Sequence, residues 1–316
     1  MLMPVIAIFF FLTGISIGSF LNVCIWRMPR NESIVSPPSR CPKCGHRLSP
    51  LELIPLFSFL WLGRRCRKCK APISWRYFIV ELATGLVFLA LWFACFHADR
   101  LWDLPFYLIF ASALIAIFMI DLEHMIIPDE LVIAAAAAAV ARALGEIFGL
   151  TGSANHGLIR IGLSGKWGFP FPEFLAGAVL GVALFIAIEL FSRLLFRKEG
   201  MGGGDMRLAG AIGALLGPKT ALLSFGLAVF AGAVIGIFVT LARFPGVLKE
   251  ERKSKKRKPP LTLRLILKSL RQAMRYYIPF GPFMALSAFL LMLAPGPIWA
   301  WVKAAWQWWL SSLTPQ

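Results

Sequence analysis

Charge is scarce in this chain. Only 16% of its 316 residues are Asp, Glu, Lys or Arg, while 58% are hydrophobic, and the mean hydropathy is +0.73. Ordinary globular domains are about 45–50% apolar, so the composition excludes a soluble domain carrying a single anchor. Acidic residues are the scarcer kind, 16 against 33 basic ones, for a net charge of +17. That balance on its own would suit a nucleic-acid binder. The densest basic run, KEERKSKKRK at 249–258, lacks the interleaved aromatic residues that would stack on bases. Basic residues are also missing ahead of the first apolar stretch, MLMPVIAIFFF, and come only afterwards, at Arg27 and Arg30. A cleaved signal peptide needs the opposite order, so this stretch is expected to be a retained span.

What the chain has instead is a series of apolar runs of membrane-spanning length from end to end. They predict an all-α polytopic membrane protein with about eight transmembrane helices, near residues 5–26, 77–96, 105–120, 131–148, 174–195, 206–216, 220–242 and 277–293. The sixth is too short to cross alone and reads as half of a hairpin with the seventh, broken near Gly217 and Pro218. Topology follows from Lys and Arg. The stretches 27–76, 193–207 and 243–275 hold 27 of the 33 basic residues, and all three fall on one side if every segment crosses. The positive-inside rule places them in the cytoplasm and the N-terminus in the periplasm. Most of the basic charge is thereby accounted for by topology and contact with anionic membrane lipids. The Trp-rich segment PIWAWVKAAWQWWLSSL is expected at the outer interface.

Two of the six cysteines, Cys24 and Cys95, stand alone in apolar spans and read as small hydrophobes. The other four, Cys41, Cys44, Cys66 and Cys69, form C-x2-C-x21-C-x2-C in a loop assigned to the reducing side of the membrane. There, paired knuckles argue for Zn2+ rather than disulfides. Two redox pairs are the alternative reading, and His46 a less favoured ligand. Four thiolates close the coordination sphere, which makes the site structural. A small zinc-ribbon-like insertion is therefore expected between helices 1 and 2. Its intervening LIPLFSFLWLG is unusually apolar for such a loop and suits contact with the bilayer.

Asp121 ends one apolar run and Asp205 ends a glycine loop, EGMGGGDMRLAG, that opens another. An ionisable group within a membrane costs roughly 2.5–3.5 kcal/mol on insertion scales. On the topology above, both carboxylates lie at the cytoplasmic ends of their helices and so at one depth. Two carboxylates sharing a site keep one proton between them. The ionised one can deprotonate a water while the other polarises a scissile carbonyl, the division of labour of an aspartyl protease. Asp205, beside a helix N-terminus, is the favoured base. Gly202, Gly203 and Gly204 are expected to supply an extended backbone able to pair with an unwound substrate. A phosphate-cradling loop is disfavoured, because no Lys-Ser/Thr follows. Carboxylates and broken helices also occur in transporters, although there the charges tend toward the midplane. An assembly factor with a partner-binding zinc loop would leave the two aspartates unexplained.

Taken together, GSFLNVCIWRMPR (18–30), the cysteine segment and following span (41–85), IDLEHMIIPDEL (120–131), GMGGGDMRLAGAIGALLG (200–217) and IPFGPFMA (278–285) resemble the type IV prepilin peptidases, bacterial inner-membrane aspartic proteases. The resemblance implies that Asp121 and Asp205 are the catalytic pair, with Gly202 and Gly204 in the catalytic loop. It implies prepilin or type II secretion pseudopilin substrates, whose basic leader is removed after a glycine on the cytoplasmic face. It further implies N-methylation of the new N-terminus from S-adenosylmethionine, an activity associated with the N-terminal region. Glu81, Asn22 and Arg76, polar groups near membrane boundaries in matching segments, are the candidates for holding that donor. The implied division is 1–97 (methyltransferase-associated, with the zinc loop), 98–243 (peptidase core), 244–275 (basic loop) and 276–316 (last span and tail). Arg207 departs from the Lys common in the family. Basic loops should repel a basic leader, and anionic lipid or local acids such as Glu123, Asp129 and Glu130 would have to offset this.

Overall fold

The structure, a computed structural model, describes residues 2–148, 158–161, 169–196, 202–253 and 279–293, together with positions 300, 304 and 307. The Trp-rich tail and most of the basic loop lie outside the described residues. Helix α1 (Leu2–Arg27) leads into the cysteine loop, which carries the five-residue α2 (Phe57–Trp61). Four helices follow: α3 (Trp75–His97), α4 (Leu104–His124), α5 (Asp129–Ile147) and α6 (Glu173–Phe196). Then come α7 (Gly203–Lys253) and α8 (Gly281–Leu293). Local chemistry sets several boundaries. Ser74 caps α3 by accepting from the Arg76 N–H at 3.2 Å. Met125, at φ 58°, ends α4. Pro128 hands over to α5, whose first turn carries Asp129 and Glu130, as expected for that dipole.

Five helices, α1, α3, α4, α6 and α7, are long and apolar enough to cross a membrane, and α8 is a shorter apolar helix. The expected sixth and seventh segments are the two helices that make up α7, and they meet at a break at Gly217 (φ 74°, ψ 167°) just before Pro218. Past the expected end at 242, α7 runs on through Pro245 to Lys253, so the basic region begins as helix. Among the described residues the all-α expectation has one exception, an antiparallel pair of strands, β1 (Leu158–Ile161) and β2 (Phe169–Pro172), in the connection between α5 and α6.

The bundle interior is mainly apolar, built on side chains such as Phe110, Ile117, Ile120, Leu208 and Ile212, but it also takes in polar groups, and large apolar side chains cover the outside. Asn22, Glu81, Thr84, Asp121, Ser224 and Ser287 are buried, whereas Val179, Leu190, Phe230 and Phe238 are exposed. Lipid tails are as apolar as leucine, so helices in membranes associate by close backbone packing and interhelical hydrogen bonds. Both are present. Gly177 and Gly181 of α6 lie directly against Gly213 and Ala209 of α7, with no room for a side chain at any of the three glycines. Gly14 and Gly18 of α1 pack in the same way on Gly85 and Glu81 of α3. The Ser224 and Ser287 hydroxyls meet at 2.9 Å between α7 and α8.

One charged cluster fastens the broken helix. Buried Asp103 accepts from Arg100 Nε and from Arg142 Nε, each at 3.0 Å. Arg142 also reaches the Leu215 carbonyl at 3.5 Å, close to where α7 breaks. This explains how Arg142 is tolerated inside an apolar segment: it is paired, and it satisfies an end-of-helix carbonyl.

Candidate active site

Asp121 sits in the last turn of α4 and is 5% exposed. Its Oδ2 accepts from the Gly281 N–H at 3.0 Å, the first backbone donor of α8. Asp205 lies in the first turn of α7, with its N–H bonded to the Gly202 carbonyl at 3.1 Å. Ile127, in the turn between α4 and α5, locates the two carboxylates relative to each other. A Cβ on Gly204 would stand 2.9 Å from Ile127 Cβ, and one on Gly281 would stand 3.4 Å from Ile127 Cδ1. The Gly204–Asp205 corner and the Asp121–Gly281 pair therefore flank one side chain.

The glycine loop differs from its expected form. Gly203 and Gly204 are helical, and only Gly202 precedes the helix, so 202–204 is not an extended strand. The physical reason is that Asp205 and Arg207 anchor the turn: the Asp205 N–H bonds Gly202, and Arg207 Nε donates to the Gly203 carbonyl at 3.1 Å. What Gly204 contributes is its lack of a side chain, which lets Ile127 approach. Gly200 and Met201 lie outside the described residues. Arg207 also pairs with Asp129, and Arg76 Nη1 donates to Glu123 Oε2 at 2.7 Å. Two of the three acids expected to attract a basic leader are thus already matched by the chain's own arginines, and exposed Glu130 remains.

Sequence reasoning missed Gly281. Its one local signal in IPFGPFMA is a glycine directly before Pro282 at a helix start, where a backbone N–H is left free to donate.

The four loop cysteines converge. Their Sγ atoms all lie within 4.8 Å of one another, with Cys41–Cys69 and Cys44–Cys66 each at 3.9 Å. Disulfide sulfurs would be about 2.05 Å apart, whereas tetrahedral zinc with Zn–S of about 2.3 Å calls for separations of roughly 3.8 Å. The donor set fits zinc. The two knuckles are built alike: Gly45 N–H bonds Cys41 O and Lys70 N–H bonds Cys66 O, with positive φ at both Gly45 (69°) and Lys70 (57°). The Cys69 and Lys68 backbone N–H groups hold the Cys66 thiol down to about 6, while at Cys44 a His46 backbone hydrogen bond is outweighed by desolvation and the neighbouring thiols, which push that thiol up to about 11. His46 turns instead to Glu52, at 3.4 Å. Cys24 and Cys95 are buried, as expected of small hydrophobes.

Asn22, Arg76 and Glu81 cluster where α1 and α3 meet the cysteine loop. Glu81 Oε2 accepts from the Leu56 N–H at 2.8 Å, tying that loop to α3. Asn22 Nδ2 donates to the Tyr77 carbonyl at 3.1 Å. Asn22 Oδ1 and Arg76 Nε are buried without a hydrogen-bond partner among the described residues. Buried polar atoms are rarely left so, and each has hydrogen-bonding capacity left for a polar ligand group.

Comparison with known proteins accords with this arrangement. Residues 12–95 match the bacterial peptidase A24 N-terminal domain and residues 108–237 match the type IV leader peptidase family. The chain is 38% identical over 240 residues to the prepilin leader peptidase/N-methyltransferase of Myxococcus xanthus, covering 76% of this chain and 64% of that one. Against the prepilin leader peptidase/N-methyltransferase of Aeromonas hydrophila it is 32% identical over 315 residues, covering 92% and 91%. Against the type 4 prepilin-like proteins leader peptide-processing enzyme of Escherichia coli it is 34% identical, covering 68% and 78%. No solved structure matches the chain. With paired aspartates at two helix ends, a four-cysteine loop and relatives matched over most of their length, the chain belongs to the type IV leader peptidase family.

Proposed function

We propose that this protein is a membrane aspartic endopeptidase that removes the basic leader from type IV prepilins or type II secretion pseudopilins. It then N-methylates the new N-terminus. The observation that carries the peptidase reading is the placing of Asp121–Gly281 and Gly204–Asp205 on either side of Ile127. In this reading Asp205, favoured as an anion in the first turn of α7, takes a proton from water. Asp121 carries the shared proton and hydrogen-bonds the scissile carbonyl. The water oxygen adds to the carbonyl carbon. The proton held on Asp205 then passes to the leaving nitrogen as the C–N bond breaks, giving a carboxylic acid on the leader and a free amine on the pilin.

Eight crossings and a cytoplasmic face for the three basic stretches accommodate this chemistry. They bring the C-terminal end of α4 and the N-terminal end of α7 to the side where leaders reside. The division into an N-terminal methyltransferase-associated region (1–97), a peptidase core (98–243), a basic loop (244–275) and a last span with tail (276–316) follows the same plan. Zn2+ held by Cys41, Cys44, Cys66 and Cys69 would brace the loop and stay closed to substrate. S-adenosylmethionine, when bound, supplies the methyl group. In this reading Asn22 Oδ1 and Arg76 Nε, both without a hydrogen-bond partner among the described residues, would hold its polar end, while Glu81 fastens the loop through the Leu56 N–H.

The test uses detergent-solubilised protein, a prepilin with a basic leader ending in glycine, and S-adenosylmethionine, followed by intact mass. Loss of the leader followed by a gain of one methyl supports both activities. Cleavage without methylation removes the second, and an unprocessed substrate with a folded enzyme removes the first.

A further inference from the structure

The cysteine loop holds a second feature that neither activity uses. Beside the Cys66/Cys69 knuckle lies an open cleft of about 490 Å³. Its floor is Phe59, Leu60, Pro72 and Trp75, and its rim is Arg64, Arg65 and Lys70. Within the floor, buried Phe59 packs at 5.2 Å on Trp75 and at 5.3 Å on Phe78. The rim is set by backbone. Gly63 and Arg64 both have positive φ (55° and 61°), which turns the chain back so that Arg64 O accepts from Ile73 N at 2.9 Å and Arg65 bridges Pro72. The Arg64 guanidinium lies 5.4 Å from the centre of the Trp75 ring.

Two further observations bear on what occupies this cleft. Trp75 is the first residue of the membrane-spanning helix α3, so the cleft opens where that helix meets the membrane surface. Next to it α2 presents Phe57, Leu60 and Trp61 outward, at 51%, 64% and 71% exposure. Among the described residues no carboxylate pairs with Arg64, Arg65 or Lys70, so the rim is uncompensated positive charge. An apolar floor and an outward apolar helix beneath three unpaired cations complement an amphipathic anion, with its phosphate on the rim and its hydrocarbon on the floor.

We propose that Arg64, Arg65 and Lys70, over Phe59, Leu60 and Trp75, form a headgroup site for an acidic phospholipid of the adjoining leaflet. α2 is the interfacial element that holds the cysteine loop on the bilayer. The proposal rests on the membrane topology but not on the peptidase or methyltransferase chemistry.

The test places p-benzoylphenylalanine at position 60 of the full-length protein in nanodiscs of phosphatidylcholine with one fifth phosphatidylglycerol, followed by irradiation and mass spectrometry of lipid adducts. Phosphatidylglycerol should make up most of the lipid adducts, roughly fourfold its share of the bilayer. The variant R64Q/R65Q/K70Q should reduce them to that share, while the charge-keeping R64K/R65K retains most of the enrichment. Arg65→Gln alone, which leaves the Arg64–Trp75 stack intact, should give an intermediate value and stands in for the triple variant if that fails to fold. Adducts that follow bulk composition in the unaltered protein would overturn the proposal. So would enrichment indifferent to the three charges, or enrichment abolished by millimolar inorganic phosphate, which would mark a site for a free anion.

Discussion

Replacing Gly281 by alanine puts a methyl group 2.5 Å from Oδ2 and 3.2 Å from Cγ of Asp121, where the Gly281 N–H now donates at 3.0 Å. The carboxylate must move, and it cannot move freely, because Ile127 Cδ1 stands 3.4 Å from the same methyl position. Hydrogen bonds to charged groups contribute about 1.5–3 kcal/mol, and overpacking a tight site costs about 1–3 kcal/mol. A misplacement of about 1 Å in a reacting group costs roughly a hundredfold in rate. Gly281→Ala should therefore lower kcat for leader removal by about a hundredfold, with KM little changed, since no substrate contact is removed. Gly226→Ala, whose added methyl meets nothing within 4 Å, is the control and should cleave at the unaltered rate. Leader cleavage in detergent, with thermal stability measured in parallel, gives the readout. A folded Gly281→Ala protein that cleaves normally would refute the assignment of Asp121 to the reacting centre.

The remaining predictions concern the frame around that centre. Cys41→Ser should strip zinc, as measured by metal analysis, and depress methylation while sparing cleavage; lost cleavage with zinc and fold retained would make the loop part of the peptidase. Gly45→Ala forces a side chain into a φ of 69°, which costs about 1–2 kcal/mol. It should hasten zinc loss to a chelator, and an unchanged rate would mean the knuckle tolerates the strain. Gly213→Val drives a side chain into the backbone of Gly177 and should lower the melting temperature sharply in detergent. Unchanged melting would show that α6 and α7 do not depend on that approach.

Much of this was legible in the sequence because membrane helices leave long signals. Apolar runs locate α1, α3, α4 and α6, and Gly217 with Pro218 marks the break in α7. The four cysteines announce their cluster because metal-binding knuckles are local in sequence. The less legible features depend on contacts between distant segments. Nothing local to Gly281 says that its N–H meets a carboxylate 160 residues away. The glycines before Asp205 favour an extended strand by composition, but the Asp205–Gly202 and Arg207–Gly203 bonds wind them into helix. Glu123 and Asp129 look like free acids until Arg76 and Arg207 are placed beside them.

The most direct test of the central claim, that Asp121 and Asp205 act as one unit, is leader cleavage by Asp121→Asn, Asp205→Asn and the double variant. Each protein should first be shown to be folded in detergent. If the pair shares one proton and one water, either single change abolishes cleavage and the double change costs no more than one alone. Cleavage surviving in either single variant, or losses that multiply in the double one, would contradict it.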